Sequence, residues 1–474
     1  DGVRTRILMK NIAYVGVIAA LTDIDLEVIK GLLEETFAEK QHLIAANMEA
    51  IHLGYDYAAE HYNGPPAPKV EKMDATRSHI VIDGNTASAL GCVYAGATVG
   101  AWYPITPSTS LMDAFRAFCA EYRVDPESGK RTYAIIQAED ELAAIGMVLG
   151  ASWMGARSFT PTSGPGISLM SEFIGYGYYA EIPTVIFNVQ RTGPSTGMPT
   201  RTQQSDILSC AYASHGDTKH VLLFPADPHE CFTMAPQAFD LADRLQTPVM
   251  VLSDLDIGMN DWMVPEFEWD ENYAHDRGKV LSAEDLEEMD AFYRYLDVDG
   301  DGIPYRTLPG THPKGSYFTR GSGHTKYGAY TENAADYQDV IDRLMLKWET
   351  ARKLVPEPEI AYSKFNNAAI LTVGSGNGAC KEALDRLGEQ NVGLNYCRVR
   401  AFPFSESIRE FIDKHEIVYV VEQNRDAQLR ALLILELNLQ PDKLVSLLHY
   451  NGIPMNAHFV VEKVLEEISK GRAA

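Results

Sequence analysis

Between residues 78 and 252, short apolar runs of β character alternate with helical stretches, and this alternation constrains the chain more than any other feature. The runs are 79–82, 133–137, 158–162, 184–189, 220–224 and 248–252. The helical stretches are 86–99, 108–122, 139–153, 167–178 and 228–245. Strands that are apolar on nearly every residue have both faces buried, as in a parallel sheet covered by helices. The reading is an α/β fold with a doubly wound sheet over 78–252. The alternation resumes with apolar runs at 368–373, 393–399, 417–421 and 444–447, so 361–474 reads as a second, smaller doubly wound domain.

The remaining stretches differ in kind. Residues 1–62 are helical. One helix opens at Leu21-Thr22-Asp23-Ile24-Asp25 and carries Leu26, Ile29, Leu32, Leu33 and Phe37 at helical spacing, and a second covers 39–61. Two helices make a poor independent core, so this stretch reads as the tail of a domain and the chain as a piece of a longer polypeptide. Residues 63–77, with Gly64-Pro65-Pro66-Ala67-Pro68, read as a linker. Residues 253–360 are acidic, aromatic and poor in period. Such a stretch is either functional or a contact region for other subunits.

Charge and cysteine usage exclude several function classes. The net charge is 41 − 65 = −24, which argues against nucleic acid and anionic membranes as partners. No apolar stretch approaches the roughly 18 residues of a membrane span, and the run after Met9-Lys10 lacks a signal cleavage site. The six cysteines (92, 119, 210, 231, 380 and 397) form no C-x-x-C unit. They read as small core residues of a reduced, cytoplasmic protein rather than zinc or iron–sulfur ligands.

Four strand ends carry polar turns shaped by glycine and proline. Tyr103-Pro104-Ile105-Thr106-Pro107-Ser108-Thr109-Ser110 follows the apolar run 97–102, with Thr106 expected as N-cap and Pro107 at the first helical position. Such a helix start offers free N–H groups to an anion. Gln137-Ala138-Glu139-Asp140-Glu141 opens a helix whose Leu142, Ile145 and Leu149 turn much of its surface inward. Acids at a helix start complement its dipole, yet one held in an apolar pocket keeps its proton and can hydrogen-bond a ring nitrogen. Ser163-Gly164-Pro165-Gly166 lets backbone approach a ligand. Arg191 stands where open sheets bind ligands and can grip a carboxylate with two N–H groups, or else form an ordinary salt bridge.

Three other patterns are weaker. Asp297-Val298-Asp299-Gly300-Asp301-Gly302 resembles the start of a calcium loop, but Leu308 occupies the twelfth position and Pro304 breaks the incoming helix. Its Gly300-Asp301-Gly302 lacks the preceding strand and the following Asn-Asn of a metal–diphosphate motif, so no metal ligand is assigned. Gly374-Ser375-Gly376-Asn377-Gly378 suits a phosphate-binding turn or plain helix–strand packing. His312, His324 and the other histidines show no ligand spacing.

Gly84-Asn85, Tyr103–Ser108, the Glu141 helix, Ser163–Gly166, and Arg191-Thr192-Gly193-Pro194-Ser195-Thr196-Gly197 through Gln203-Gln204-Ser205-Asp206 come in one order. In that order the chain resembles the α subunit of 2-oxoacid:ferredoxin oxidoreductases, closest to the 2-oxoglutarate enzymes, over nearly its whole length. The resemblance implies that 1–62 is the end of the family's γ domain, fused ahead of α and lacking its Gly-rich front. It implies that 78–252 is a thiamine-diphosphate-binding, pyrimidine-type domain and 361–474 a transketolase C-terminal-like domain. Glu141 would match the glutamate on the aminopyrimidine ring. Glu139 is two residues away, and the choice rests on aligning 141–151 with the family's helix. Thr106 and Arg191 would hold the 2-oxoacid, Thr200 would be a second substrate contact, and Pro104, Ile105, Ser163 and Gly164 would line the cofactor. The implied reaction is reversible, coenzyme A-dependent oxidative decarboxylation of a 2-oxoacid with electrons to ferredoxin. Mg2+, the diphosphate site and the 4Fe–4S cluster would come from a β subunit, in an α2β2 assembly. Pyruvate or branched-chain substrates, a transketolase- or dehydrogenase-type thiamine enzyme, and a non-catalytic scaffold subunit are the alternatives.

Overall fold

The computed structural model describes residues 3–73, 75–363 and 367–471. The outer ends of the expected 1–62 and 361–474 segments, and positions 74 and 364–366, lie outside the described residues. Contacts divide the chain into two units that meet in sequence at Ser78 and His79.

The first unit has three helices, Val3–Thr22, Leu26–Thr36 and His42–His61, one more than the periodicity indicates. Val3–Thr22 escapes a pattern search because its apolar residues fall on all sides rather than in one stripe. It packs on His42–His61 through two glycines. A Cβ on Gly16 would stand 1.9 Å from the Ile51 carbonyl oxygen, and one on Gly54 would stand 1.8 Å from that of Ala13. The helix Leu26–Thr36 is capped by Asp25, whose carboxylate accepts from Glu27 N. The proline-rich stretch is tied back to this unit: Val70 N donates to the Thr22 carbonyl at 2.8 Å, and Lys69 Nζ lies 2.9 Å from Asp23.

The second unit is built on two large sheets and a two-stranded ribbon. The strands are β1 His79–Ile82, β2 Val99–Trp102, β3 Ala134–Gln137, β4 Ser158–Thr162, β5 Thr184–Gln190, β6 Val221–Leu223, β7 Pro248–Asp254, β8 Trp262–Pro265, β9 Glu359–Ala361, β10 Ala368–Val373, β11 Asn395–Val399, β12 Ala401–Phe402, β13 Ile417–Glu422 and β14 Leu444–Leu448. The larger sheet runs β12-β6-β7-β5-β4-β2-β3, parallel except for β12. The smaller runs β14-β13-β10-β11-β9, parallel except for β9. The fold is the doubly wound α/β class read from the apolar runs. In the core of the larger sheet, the Phe159 ring meets Phe115, Phe187 and Phe239 edge-on, with centroids 4.8, 5.7 and 6.2 Å away.

Local departures from the sequence reading have local causes. β1 leaves the main sheet and pairs antiparallel with β8, since Val81 is 70% exposed and the run is too short and wet for a buried strand. The helix expected to reach residue 99 spans Gly84–Tyr94, because Gly96 takes φ +78° and turns the chain into β2. The stretch 253–360 includes a 19-residue helix, Ala334–Arg352.

Much of the charge in that stretch is engaged within the chain. Buried Glu181 accepts from Arg343 and, at 2.9 Å, from Lys347 Nζ. Burial pushes the Glu181 carboxyl up, but the two cations overcome this and hold it well below the usual range. Asp243 is met by Arg157, Arg277 and Arg306 at 3.0, 3.1 and 2.7 Å.

Gly54→Ala forces a methyl group into the Ala13 backbone and should destabilise the helical unit by about 1–3 kcal/mol. Amide exchange should quicken across residues 3–61 and stay unchanged from 79 onward; equal exchange in variant and parent would refute the close glycine contact.

Candidate functional site

The order of the larger sheet reverses between β2 and β4. From β2 the chain crosses to β3 on one side; from β4 it crosses to β5 on the other. The loops leaving β2 and β4 therefore diverge, and in open parallel sheets ligands bind in the crevice that this leaves. The four singled-out turns all fall here. Thr106 follows β2, Glu141 follows β3, Ser163 and Gly164 follow β4, and Arg191 follows β5, on four neighbouring strands.

The loop after β2 differs from the expected capped helix start. The helix spans Thr109–Tyr122, preceded by Ser108, and the Thr106–Pro107 peptide is cis. Thr106 is thus not the N-cap, nor Pro107 the first helical residue. The Thr106 carbonyl instead accepts from Arg191 Nη1 at 2.7 Å, and the Ser108 hydroxyl donates to the Ile105 carbonyl at 3.0 Å. Buried Asn85 clamps the loop, with Nδ2 donating to the Pro107 carbonyl and to Ser110 Oγ, each at 2.8 Å. Pro104 is exposed; Ile105 and Thr106 are half-buried.

The three acids after β3 separate by burial. Glu139 is exposed. Asp140 is the N-cap, its carboxylate accepting from Ala143 N at 2.7 Å. Glu141 is 6% exposed, and among the described residues no donor or cation reaches its carboxylate. Its Cγ would lie 3.1 Å from a Cβ on Gly166, a position also blocked at 1.9 Å by Thr162 Oγ1. Ser163 Oγ, at the N-cap of Gly164–Tyr179, is buried without a partner. A Cβ on Gly164 would stand 2.8 Å from either carboxylate oxygen of Asp206.

Arg191 is 8% exposed. Only its Nη1 is engaged among the described residues; Nε is buried and unpartnered, which leaves the Nε–Nη2 edge of the fork free. Burial lowers its pKa, against the pull of Asp206. The loop beyond folds tightly, with Thr192 N donating to the Arg201 carbonyl at 2.9 Å. Thr200 is exposed, and its carbonyl accepts from Arg201 Nη1 at 2.8 Å. No described contact joins it to Thr106, Arg191 or Glu141.

Sequence reasoning missed Asn85 as a clamp and Asn188 altogether, and it named Asp206 only as the end of a motif, without a role. An asparagine inside the apolar strand 184–190 was the available signal. Asn188 Nδ2 donates to Asp206 at 3.1 Å, while its Oδ1 is buried and unpartnered. Several unpartnered buried polar atoms occur at these strand ends and in the loop beyond β5: Ser163 Oγ, Asn188 Oδ1, Arg191 Nε, Thr202 Oγ1 and Gln204 Oε1. Such atoms are uncommon in folded proteins and mark places awaiting a ligand or water.

The family described as pyruvate flavodoxin/ferredoxin oxidoreductase, thiamine diphosphate-binding, matches residues 90–291, and that described as pyruvate ferredoxin/flavodoxin oxidoreductase matches 4–57. The α subunit of 2-oxoacid:ferredoxin oxidoreductase 1 of Sulfurisphaera tokodaii is 32% identical over 98% of this chain and 72% of its own length. The chain belongs to the 2-oxoacid:ferredoxin oxidoreductase family, as an α subunit. The 2-oxoglutarate synthase subunit KorA of Archaeoglobus fulgidus is 33% identical over 73% of this chain and 88% of its own. The 2-oxoglutarate:ferredoxin oxidoreductase of Magnetococcus marinus, solved with 2-oxoglutarate, coenzyme A and succinyl-CoA bound, superposes with a TM-score of 0.86. It is 28% identical and covers 97% of this chain and 77% of that one.

Other candidates lie outside this crevice or are already engaged. Ser375, in the turn weighed as a phosphate site, donates to Asp254 and accepts from Gln204 and Gln423, so the chain's own side chains fill that turn. Lys279 Nζ stands among the calcium-like carboxylates, 2.6 Å from Asp299 and 2.7 Å from Asp301. All six cysteines are buried and free, and burial pushes the Cys119 thiol up to about 11. Among the described residues no helix is long and apolar enough to cross a membrane.

Asn85→Ala removes two hydrogen bonds and leaves the Pro107 carbonyl unsatisfied, a loss of about 1–3 kcal/mol. Amide exchange at 105–111 should accelerate while β4 and β5 keep their protection; unaltered exchange would show that the loop does not depend on the clamp.

Proposed function

We propose that this α subunit supplies the aminopyrimidine side of a thiamine diphosphate site and the carboxylate clamp for 2-oxoglutarate. The reaction is reversible, coenzyme A-dependent oxidative decarboxylation to succinyl-CoA and carbon dioxide, with electrons passing to ferredoxin. The observation that carries the reading is the free Nε–Nη2 edge of buried Arg191, at the same crevice as the unpartnered carboxyl of Glu141. A carboxylate is the group whose geometry matches that edge. The KorA relative and the Magnetococcus enzyme favour 2-oxoglutarate over pyruvate.

The residues fit the cofactor. An aminopyrimidine needs a carboxyl against a ring nitrogen, close backbone, and acceptors for an amino group. Glu141, the glycines at 164 and 166, and the unpartnered Ser163 Oγ offer these. Pro104 and Ile105 extend the wall. When bound, thiamine diphosphate supplies a carbanion nucleophile and an electron sink for the decarboxylation. Glu141 holds or releases a proton at its carboxyl oxygen. Arg191 fixes the substrate carboxylate through two N–H groups, and its Nη1 bond to the Thr106 carbonyl fixes Arg191 in turn. The Thr106 hydroxyl has no described partner and is left to contact the oxo group. Thr200, on the exposed loop, is assigned as a second substrate contact.

Mg2+, the diphosphate site and the 4Fe–4S cluster are assigned to a β subunit in an α2β2 enzyme. The cysteines here sit singly in the core, and Lys279 engages the one carboxylate cluster found among the described residues. Residues 1–62 are assigned to a γ domain, 63–77 to a linker, 78–252 to the pyrimidine domain, 253–360 to an extension and 361–474 to the transketolase C-terminal-like domain. A cytoplasmic location accords with this assignment.

The test is a substrate panel on the complex co-expressed with its β subunit, with a viologen acceptor. 2-Oxoglutarate should give the highest kcat/KM; higher values for pyruvate or branched 2-oxoacids would reject the assigned substrate. Glu141→Gln should lower kcat by about 10²–10⁴-fold, and Arg191→Lys should raise the 2-oxoacid KM by about 10–100-fold. Parental kinetics in either variant would remove that residue from the site.

A further inference from the structure

Asp206 precedes the short helix Ile207–Ala211 but makes no side-chain cap bond to it. Its carboxylate turns to the ends of β4 and β5 instead. It accepts from Asn188 Nδ2 at 3.1 Å, and both its oxygens lie against Gly164, at 2.8 Å from a Cβ built there. Its own N–H donates to Gln190 Oε1 at 3.1 Å, which fixes the residue at the crevice floor. The cation facing it is Arg191, and the two form no direct ion pair within 4 Å among the described residues. The other groups around it are Asn188 on β5, the start of the helix Gly164–Tyr179, and the Cys210 thiol, which shares Asn188 Nδ2 at 3.4 Å and which burial keeps neutral. Burial pushes the Asp206 carboxyl up to about 6, against the opposing pull of Asn188 and Arg191.

We propose that Asp206 is a positioning residue that balances the charge of Arg191, so that the 2-oxoacid carboxylate binds more tightly when Asp206 carries a proton. The inference rests on the reading that Arg191 holds the substrate. Two anions, Asp206 and the substrate carboxylate, act on one buried guanidinium. Neutralising the resident anion leaves the full positive charge to the incoming one. Substrate binding then draws a proton onto an Asp206 oxygen, and the carbonyl chemistry is untouched by that transfer.

The sign follows from a raised carboxyl. Below about pH 6 Asp206 is largely neutral and the 2-oxoacid KM is low. As pH rises through and above that value KM climbs, by up to about tenfold per pH unit for one linked proton. The experiment measures KM and kcat for 2-oxoglutarate from pH 5.5 to 8 on the assembled enzyme and on Asp206→Asn and Arg191→Lys. Asp206→Asn should flatten the climb and keep KM near its low-pH value, with the effect on KM larger than that on kcat. A parental slope in Asp206→Asn, or a fall in kcat and rise in KM alike at every pH, overturns the proposal. An unchanged KM in Arg191→Lys overturns the reading beneath it, whereas a raised KM there with a parental slope in Asp206→Asn overturns this inference alone. Should Asp206→Asn not fold, calorimetry of the parent enzyme with 2-hydroxyglutarate in buffers of different ionisation enthalpy decides: fractional proton uptake near pH 6.5 supports the proposal, and none refutes it.

Discussion

The reversal of strand order between β2 and β4 is the constraint on which the site depends. Parallel strands joined by right-handed crossovers send successive helices to one face or the other. Where the direction of winding changes, two loops must part. No backbone of the same sheet can fill the gap, so side chains from four neighbouring strands border a space instead. Tight geometry follows on either side. Gly164 and Gly166 are there because a side chain would collide with Asp206, or with Thr162 and Glu141. The Thr106 carbonyl points to Arg191 rather than into a helix.

How much of this was legible depends on the depth of burial. The strands Ser158–Thr162 and Ala368–Val373 and the helix Pro228–Leu245 coincide with their sequence readings, because wholly buried runs and a strong apolar stripe leave one option. β1 has the bounds read for it, but not the sheet: its partner β8 lies far along the chain, and a four-residue run carries no sign of that pairing. The helix Ala334–Arg352 was missed since it presents Arg343 and Lys347 to the interior, and a hydrophobic pattern cannot register cations buried against Glu181. At the site, the sequence could offer Glu139 and Glu141 together. Only the fold, which leaves one exposed and buries the other, separates them. Asn85 and Asp206 act through partners more than 20 and more than 10 positions away, respectively, which no local motif reveals.

The acidic stretch illustrates a second principle. Ion pairs exposed to water contribute little, whereas removing one partner of a buried pair is costly. The stretch is fastened at Glu181 and at Asp243, both nearly inaccessible, and each carboxylate is met by more than one cation. Those contacts specify where a segment with little regular structure must lie, which hydrophobic contact alone would leave loose.

β12 is only two residues long, but it joins Ala401 and Phe402 of the later α/β region to β6 at the edge of the larger sheet. The two sheets are thereby sewn into one body. Dissecting the polypeptide near residue 360 would strip that seam away and leave β6 with a bare row of amide and carbonyl groups, a template for self-association. Evolution could exchange the C-terminal region for another only if the replacement brought its own selvedge. That ties the inheritance of the two halves together more firmly than their separate folds suggest.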